Sequence, residues 1–253
     1  MYIQYSDRNN ISSNNIISNK INNGIRFRAC NSNTILDNKV SSNDGNGISL
    51  WGCDYNTISG NNFSNNNENG IILEGGEFNT IIDNNINSNK KNGISLKYYY
   101  PTPHSNPVGS NLNKIKGNNV SNNEYGIQLL GKSNVKNKNN VILKNNFIKN
   151  TQNAWDNFEN SKNFWDDGEY GNYWSDYKER YPYAKPKSSK PWMWDTPYEI
   201  IGGDDRDNCP LINQWSKSSS ATSAPRNRAR FNSLFHWLLE RFPSVSTYRY
   251  LNT

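Results

Sequence analysis

Apolar residues in the first two thirds of the chain come in short alternating pairs separated by polar runs. Ile48/Leu50, Ile71/Leu73, Ile94/Leu96 and Ile127/Leu129 are followed by Ile58/Phe63, Ile81/Ile86, Ile115/Val120 and Ile142/Phe147. Alternation over four residues is the strand period, and nothing in this region keeps apolar residues at helical spacing. The pairs also repeat. Asn23-Gly24-Ile25 returns at 46, 69 and 92, three successive steps of 23, and Asn33-Thr34-Ile35 returns at 56 and 79 with the same step. The next copies are YGIQL around Gly126 and Asn113-Lys114-Ile115, displaced by an insertion in KYYYPTPHSNPVGSN. A degenerate copy runs from Asn140-Val141-Ile142 to Asn153-Ala154-Trp155. A fixed period of this length means stacked units. At the 4.7–4.9 Å interstrand distance, about six such coils make an all-β parallel β-helix on the order of 30 Å long, its interior filled by the apolar columns.

Composition alone points elsewhere. Of 253 residues only 33% are hydrophobic, mean hydropathy is −0.95 and Asn occurs 49 times, which borders on the composition of disordered chains. The repeat accounts for the asparagine. Asn15, Asn38, Asn61, Asn84, Asn118 and Asn145 form one column, and Asn10, Asn33, Asn56, Asn79, Asn113 and Asn140 another. Both read as structural ladders, because Asn tolerates left-handed turns and stacked amides pair between layers. The glycine column reads as turn geometry, and there is no GxGxxG or P-loop.

No apolar run is long enough to span a membrane, and the opening segment MYIQYSDRNNISSNNIISNKINNGIRFRAC lacks the charged start and apolar stretch of a signal peptide. Met1 enters part-way through a coil, which predicts a truncated frame or a fragment of a longer exported chain. Three Cys and two His are too scattered for a zinc module or a disulfide scaffold. Cys30 and Cys53, one period apart, stack in neighbouring coils as either a disulfide or a buried thiol pair, and Cys209 stands alone. Sequons begin at Asn10, Asn62 and Asn119.

The NGIxL and NTIxxN coils resemble the NosD-like, pectate-lyase-type right-handed β-helix family. Residues 163–177 (NFWDDGEYGNYWSDY) with 195–211 (DTPYEIIGGDDRDNCPL) resemble the segment closing the β-helix in many archaeal NosD-like and surface-layer-associated proteins. The resemblance spans residues 9–215. It implies an exported or cell-surface protein with a carbohydrate-binding role, or copper delivery as in the namesake members. Where many relatives carry a DGDG-type acidic loop, this chain has KERYPYAKPKSSKPWMW, which offers no carboxylate pair for calcium. His104, His236, Met1, Met193 and the cysteines form no ligand cluster by spacing, so copper is disfavoured as a cofactor.

The sequence thus divides into β-helix repeats (1–157), an aromatic-rich closing module (158–215), a Ser-rich basic linker (216–229) and an amphipathic helical tail (230–253). In the tail, Phe231, Leu234, Phe235, Leu238, Leu239 and Phe242 keep helical spacing, and it is expected to dock on this protein, a partner or a membrane surface. Candidate ligand contacts are the loop residues Tyr98, Tyr99 and Tyr100 and the closing-module residues Trp165 and Trp174, whose rings suit either sugar stacking or capping. Asp204, Asp205 and Asp207 are the candidate for a hard cation such as calcium, against a plain acidic turn. Asp37 and Asp83 share a column two coils apart, about 10 Å by the stacking distance, and read as turn residues. The acids Asp166, Asp167, Glu169 and Asp176 read as part of the closure.

Residues 216–253 hold six Lys/Arg and one Glu, so most of the net charge of +6 lies there and the rod is near neutral. A nucleic-acid-binding body is excluded on that ground. The expected function is a structural or carbohydrate-binding module of the cell envelope without catalysis, its partner a polysaccharide or envelope component. The alternative is a polysaccharide lyase, hydrolase or epimerase acting on the groove.

Overall fold

Each repeat folds as three short strands joined by tight corners. In the third coil these are Ile48–Trp51, Thr57–Ser59 and Asn62–Ser64. The computed structural model describes residues 1–216 except positions 21, 103 and 133, and these form one compact unit. The expected helical tail, and the linker beyond 216, lie outside the described residues.

Equivalent strands pair in parallel into three sheets of seven, six and seven strands. The first stacks Tyr2–Gln4, Ile25–Arg28, Ile48–Trp51, Ile71–Glu74, Asn92–Lys97, Tyr125–Leu130 and Gln152–Asp156. Register is strict: Ile48 faces Ile71, which faces Ile94. There are therefore seven layers rather than about six. The extra layer is the first, where Tyr2 pairs with Arg26 but no Asn-Gly-Ile triplet marks the coil.

The predicted apolar columns are the core. Ile25, Ile48, Ile71, Ile94 and Ile127 are fully buried, as are Ile35, Ile58, Ile81, Ile115 and Ile142. Repeating one residue type at one position lets each side chain pack on its copy 4.7–4.9 Å away, so a thin interior reaches crystal-like density. The glycine column serves this packing rather than a turn. A Cβ at Gly47 would lie 2.6 Å from the Gly70 carbonyl and 2.8 Å from the Phe63 ring.

The corners are held by amide ladders. Asn61 Nδ2 donates to Ile35 O (2.9 Å), Ser59 O (3.0 Å) and Asn84 Oδ1 (3.0 Å), while its Oδ1 accepts from Asn38 N (2.8 Å) and Nδ2 (3.0 Å). The same bonds repeat at Asn84, Asn118 and Asn145. Two details differ from the sequence reading. The first-layer members are Asn14 and Asn9, not Asn15 and Asn10, because the first step is 24 positions rather than 23. A third ladder, Asn19, Asn43, Asn66, Asn89, Asn123 and Asn150, fills the remaining corner. The left-handed position is the residue before the ladder Asn in these corners: Tyr55, Asn65 and Asp83 have φ of 58°, 54° and 57°.

All three ladders run with donors toward the next coil, so each last amide needs an acceptor, and a carboxylate accepts without donating. Asn172 N donates to Asp207 Oδ2 (2.7 Å), Asn163 donates to Asp156 (3.0 Å) and Asp205 (3.3 Å), and Asn150 reaches Asp176 through Asn153. Above them the core column continues as rings. Phe147 stacks on Trp174 at 4.7 Å, and Trp174 on Tyr198 at 4.1 Å and 3°. The closing module is thus a cap that completes both the apolar and the amide columns.

Candidate binding face

The outer face of the first sheet carries a cluster of charged and aromatic side chains outside the core. Two outward positions per strand stack into columns, Arg26 beside Ser49, and Arg28 beside Trp51, Glu74 and Lys97. The Arg26 guanidinium lies over the Trp51 ring at 4.0 Å and over the Tyr2 ring at 5.4 Å. Such cation–π contacts hold both groups in place. Glu74 stands between Trp51 and Lys97, 3.9 Å from the Lys97 ammonium. Burial pushes its carboxyl above the usual range, against the pull of Lys97 and Arg26.

The inserted loop folds back on one edge of this face. Tyr99 and Val108 exchange backbone hydrogen bonds of 2.8 Å each way, and Ser110 Oγ accepts from Gly75 N at 3.0 Å. Gly52 (φ +53°) and Gly75 (φ +67°) leave the space beneath: a Cβ on Gly75 would lie 2.6 Å from Tyr99 Cβ. Tyr99 therefore sits on bare backbone, its ring 6.4 Å from that of Trp51. Tyr98 and Tyr100 meet edge to face at 5.7 Å, with the Lys132 ammonium 5.5 Å from both rings. The tyrosine triplet is thus half on the rod and half in solvent, with Tyr99 joined to Trp51 and Arg28 and, through Trp51, to Arg26, while Glu74 lies in the same column. Residue type alone does not single out those four, although the 23-residue step places Arg28, Trp51, Glu74 and Lys97 in one column directly after the inward apolar residue.

The other predicted contacts lie elsewhere. Trp165 and Trp174 are each 1% exposed, so their faces meet the core and not a ligand. Asp204, Asp205 and Asp207 point to different partners. Asp204 accepts from Asn160 N, Asp205 from Ser161 Oγ and Trp165 Nε1, and buried Asp207 from Asn172 N, Trp174 Nε1 and Cys209 N. Their geometry is that of hydrogen-bond acceptors ending the stack. Asp37 fills the space over Gly60, where a Cβ would come within 2.2 Å of its Oδ1.

Cys30, Cys53 and Cys209 are all free buried thiols. In-register stacking points the Cys30 and Cys53 side chains the same way, and each sulfur is engaged with backbone. Cys53 Sγ accepts from Cys30 N at 3.3 Å and donates to Trp51 O at 3.2 Å. Burial pushes the Cys53 thiol up to about 12, which makes it unreactive.

The fold is a parallel β-solenoid, with charged and aromatic side chains on the outer face of its first sheet. Residues 1–165 match the model of the right handed beta helix region family, and the chain belongs to that family. A search of curated proteins found no match. Among solved structures, the chain is similar to the A-module of the mannuronan C-5 epimerase AlgE6 of Azotobacter vinelandii, at 16% identity and a TM-score of 0.42. That similarity covers 58% of this chain and 50% of the module.

Proposed function

We propose that this protein is a carbohydrate-binding β-helix of the cell envelope, and that the outer face of its first sheet, walled by the tyrosine loop, is the binding face. The observation that carries this reading is the junction of Trp51 and Tyr99 with Arg26 and Arg28 over two left-handed glycines. Rings offer apolar faces to sugar C–H groups, and the flanking side chains supply directional hydrogen bonds that orient a ligand. A rod whose stacked coils present a continuous outer face along its length suits an extended polymer. The test is affinity for a panel of soluble polysaccharides, measured by isothermal titration calorimetry on the full chain. Replacing Trp51 and Tyr99 together by Ala is expected to weaken binding at least tenfold, while Trp192→Ala, on the closing module, leaves it unchanged. Unchanged affinity in the double variant would refute the reading.

A second reading, polysaccharide lyase, hydrolase or epimerase, draws on Glu74. A carboxyl raised by burial beside Lys97 and Arg26 has the elements of proton abstraction next to a neutralised acid group. Release of unsaturated or epimerised sugars that stops in Glu74→Gln would favour this reading over binding alone.

A further inference from the structure

A cavity of about 560 Å³ opens at the surface where the last two coils meet the closing module. That volume is in the range of small-molecule sites. Three segments build it. The first is a tight turn after the strand Tyr125–Leu130, closed by backbone bonds of 2.9 Å each way between Lys132 and Val135. The second, residues 157–160, follows the strand Gln152–Asp156 and is clamped to that turn by Asn157, whose Oδ1 accepts from Gly131 N (2.7 Å) and whose Nδ2 donates to Gly131 O (3.0 Å). The third is the cap backbone at Gly202, with Asp204 accepting from Asn160 N at 2.6 Å.

The frame is braced and several lining groups are free. Phe158 lies against Gly131, where a Cβ would come within 2.4 Å of the ring. Lys136 Nζ donates to Glu159 O at 2.6 Å and to Asn160 O at 3.5 Å. Asn134, Glu159 and Asn160 line the cavity and are exposed. Among the described residues, their side chains have no hydrogen-bond or ionic partner.

Those free groups select the ligand by chemistry. Two amides donate and accept, and the carboxylate only accepts, so hydroxyls, which do both through one atom, answer all three. An anionic ligand meets Glu159 as a like charge, and the ammonium of Lys136 is already turned to backbone carbonyls. A cationic ligand meets Lys136. A ring that carries adjacent hydroxyls and apolar C–H groups suits the amides, the carboxylate and Phe158 together.

We infer that this cavity is a second site, which binds a neutral sugar unit from a glycan chain end or a free sugar. It shares no residue with the first-sheet face, and its assignment does not depend on that face. Long polysaccharides, with few ends per chain, engage the face and not the cavity.

The test titrates the full chain with glucose, galactose, mannose, N-acetylglucosamine, a linear glucose tetrasaccharide and glucuronate, by calorimetry and saturation-transfer NMR. Glu159→Ala and Asn160→Gly remove side chains without partners in the fold, and glycine keeps the left-handed backbone at 160 (φ 55°). At least one neutral sugar should bind more tightly than glucuronate. Each variant should lose about tenfold in affinity for it with an unchanged melting temperature, while the double Trp51 and Tyr99 variant binds it like the parent. A tetrasaccharide bound as well as its monosaccharide would assign the site to glycan ends, and free sugar bound alone would assign it to free sugars. No binding of any neutral sugar, or glucuronate bound as tightly, would overturn the inference. Loss in the double Trp51 and Tyr99 variant, with none in Glu159→Ala and Asn160→Gly, would place the sugar on the face and overturn it too. Cavity binding without polysaccharide binding on the face would refute the face and leave the cavity standing.

Discussion

At the scale of single residues the fold is governed by where amide groups find partners. The 49 asparagines read by composition as a mark of disorder, yet the corner ladders use many of them as connectors whose amide oxygen and nitrogen are both engaged, as at Asn61. The bond geometry explains why Asn is required. At Asn84, Ala removes the acceptor of Asn61 N and Nδ2 and takes a donor from each of Ile58 O and Ile82 O, and Asp has no donor to give. Asn84→Ala is expected to destabilise the protein by about 1–3 kcal/mol, and Asn84→Asp by at least as much. Urea denaturation followed by circular dichroism measures this, and a loss below about 0.5 kcal/mol would remove the ladder from the account. The columns are legible in the sequence because the repeat spacing shows wherever a triplet recurs. Their first members fall one position away from the sequence reading because the first coil is one residue longer than the regular 23-residue step and carries no triplet. The third ladder has no apolar neighbour of fixed type to mark it.

At the scale of elements, the inserted loop is legible in the sequence and its docking is not. Its length, prolines and tyrosines distinguish it from the coils, but the surface under Tyr99 depends on Gly52 and Gly75, which follow the inward column rather than the Asn-Gly-Ile triplet. Gly75→Ala adds a Cβ at φ +67° and into Tyr99. It should lift the loop off the face while the rod stays folded. Glycan affinity should then fall to the level of the double Trp51 and Tyr99 variant, with the melting temperature lowered by only a few degrees, as expected for about 1 kcal/mol of strain. Full affinity in Gly75→Ala would mean that the loop is not part of the site. The closing module illustrates the opposite limit. Its aromatic content announces a cap, but only the stacking order Phe147, Trp174, Tyr198 separates rings that finish a core from rings that meet a ligand.

At the scale of the whole molecule, the cap is tied to the rod by buried acids, and this makes stability depend on pH. Burial pushes Asp207 up to about 7 and Asp156 up to about 6, and raises Asp205 as well. Ser161 Oγ lies 2.8 Å from Asp156 Oδ2 and 2.9 Å from Asp205 Oδ2. One hydroxyl proton cannot serve two ionised carboxylates, so this junction holds a further proton when complete. Folded values above the unfolded value near 4 mean that the native state binds more protons than the unfolded state. The resulting stability is complete below the unfolded value and is lost as pH rises through about 6 and 7. Between pH 5 and pH 8 the expected loss is on the order of 4 kcal/mol. Denaturation midpoints across that range check it. A flat profile, or one rising with pH, would contradict the protonated cap.

The central claim, that the first sheet's outer face is where a glycan lies, is tested most directly by hydrogen–deuterium exchange of the full chain with and without a bound polysaccharide. The account predicts slowed exchange confined to segments 26–29, 49–53 and 97–100. Protection centred instead on the closing module around Tyr170 and Trp192, or on the opposite sheets, would contradict it.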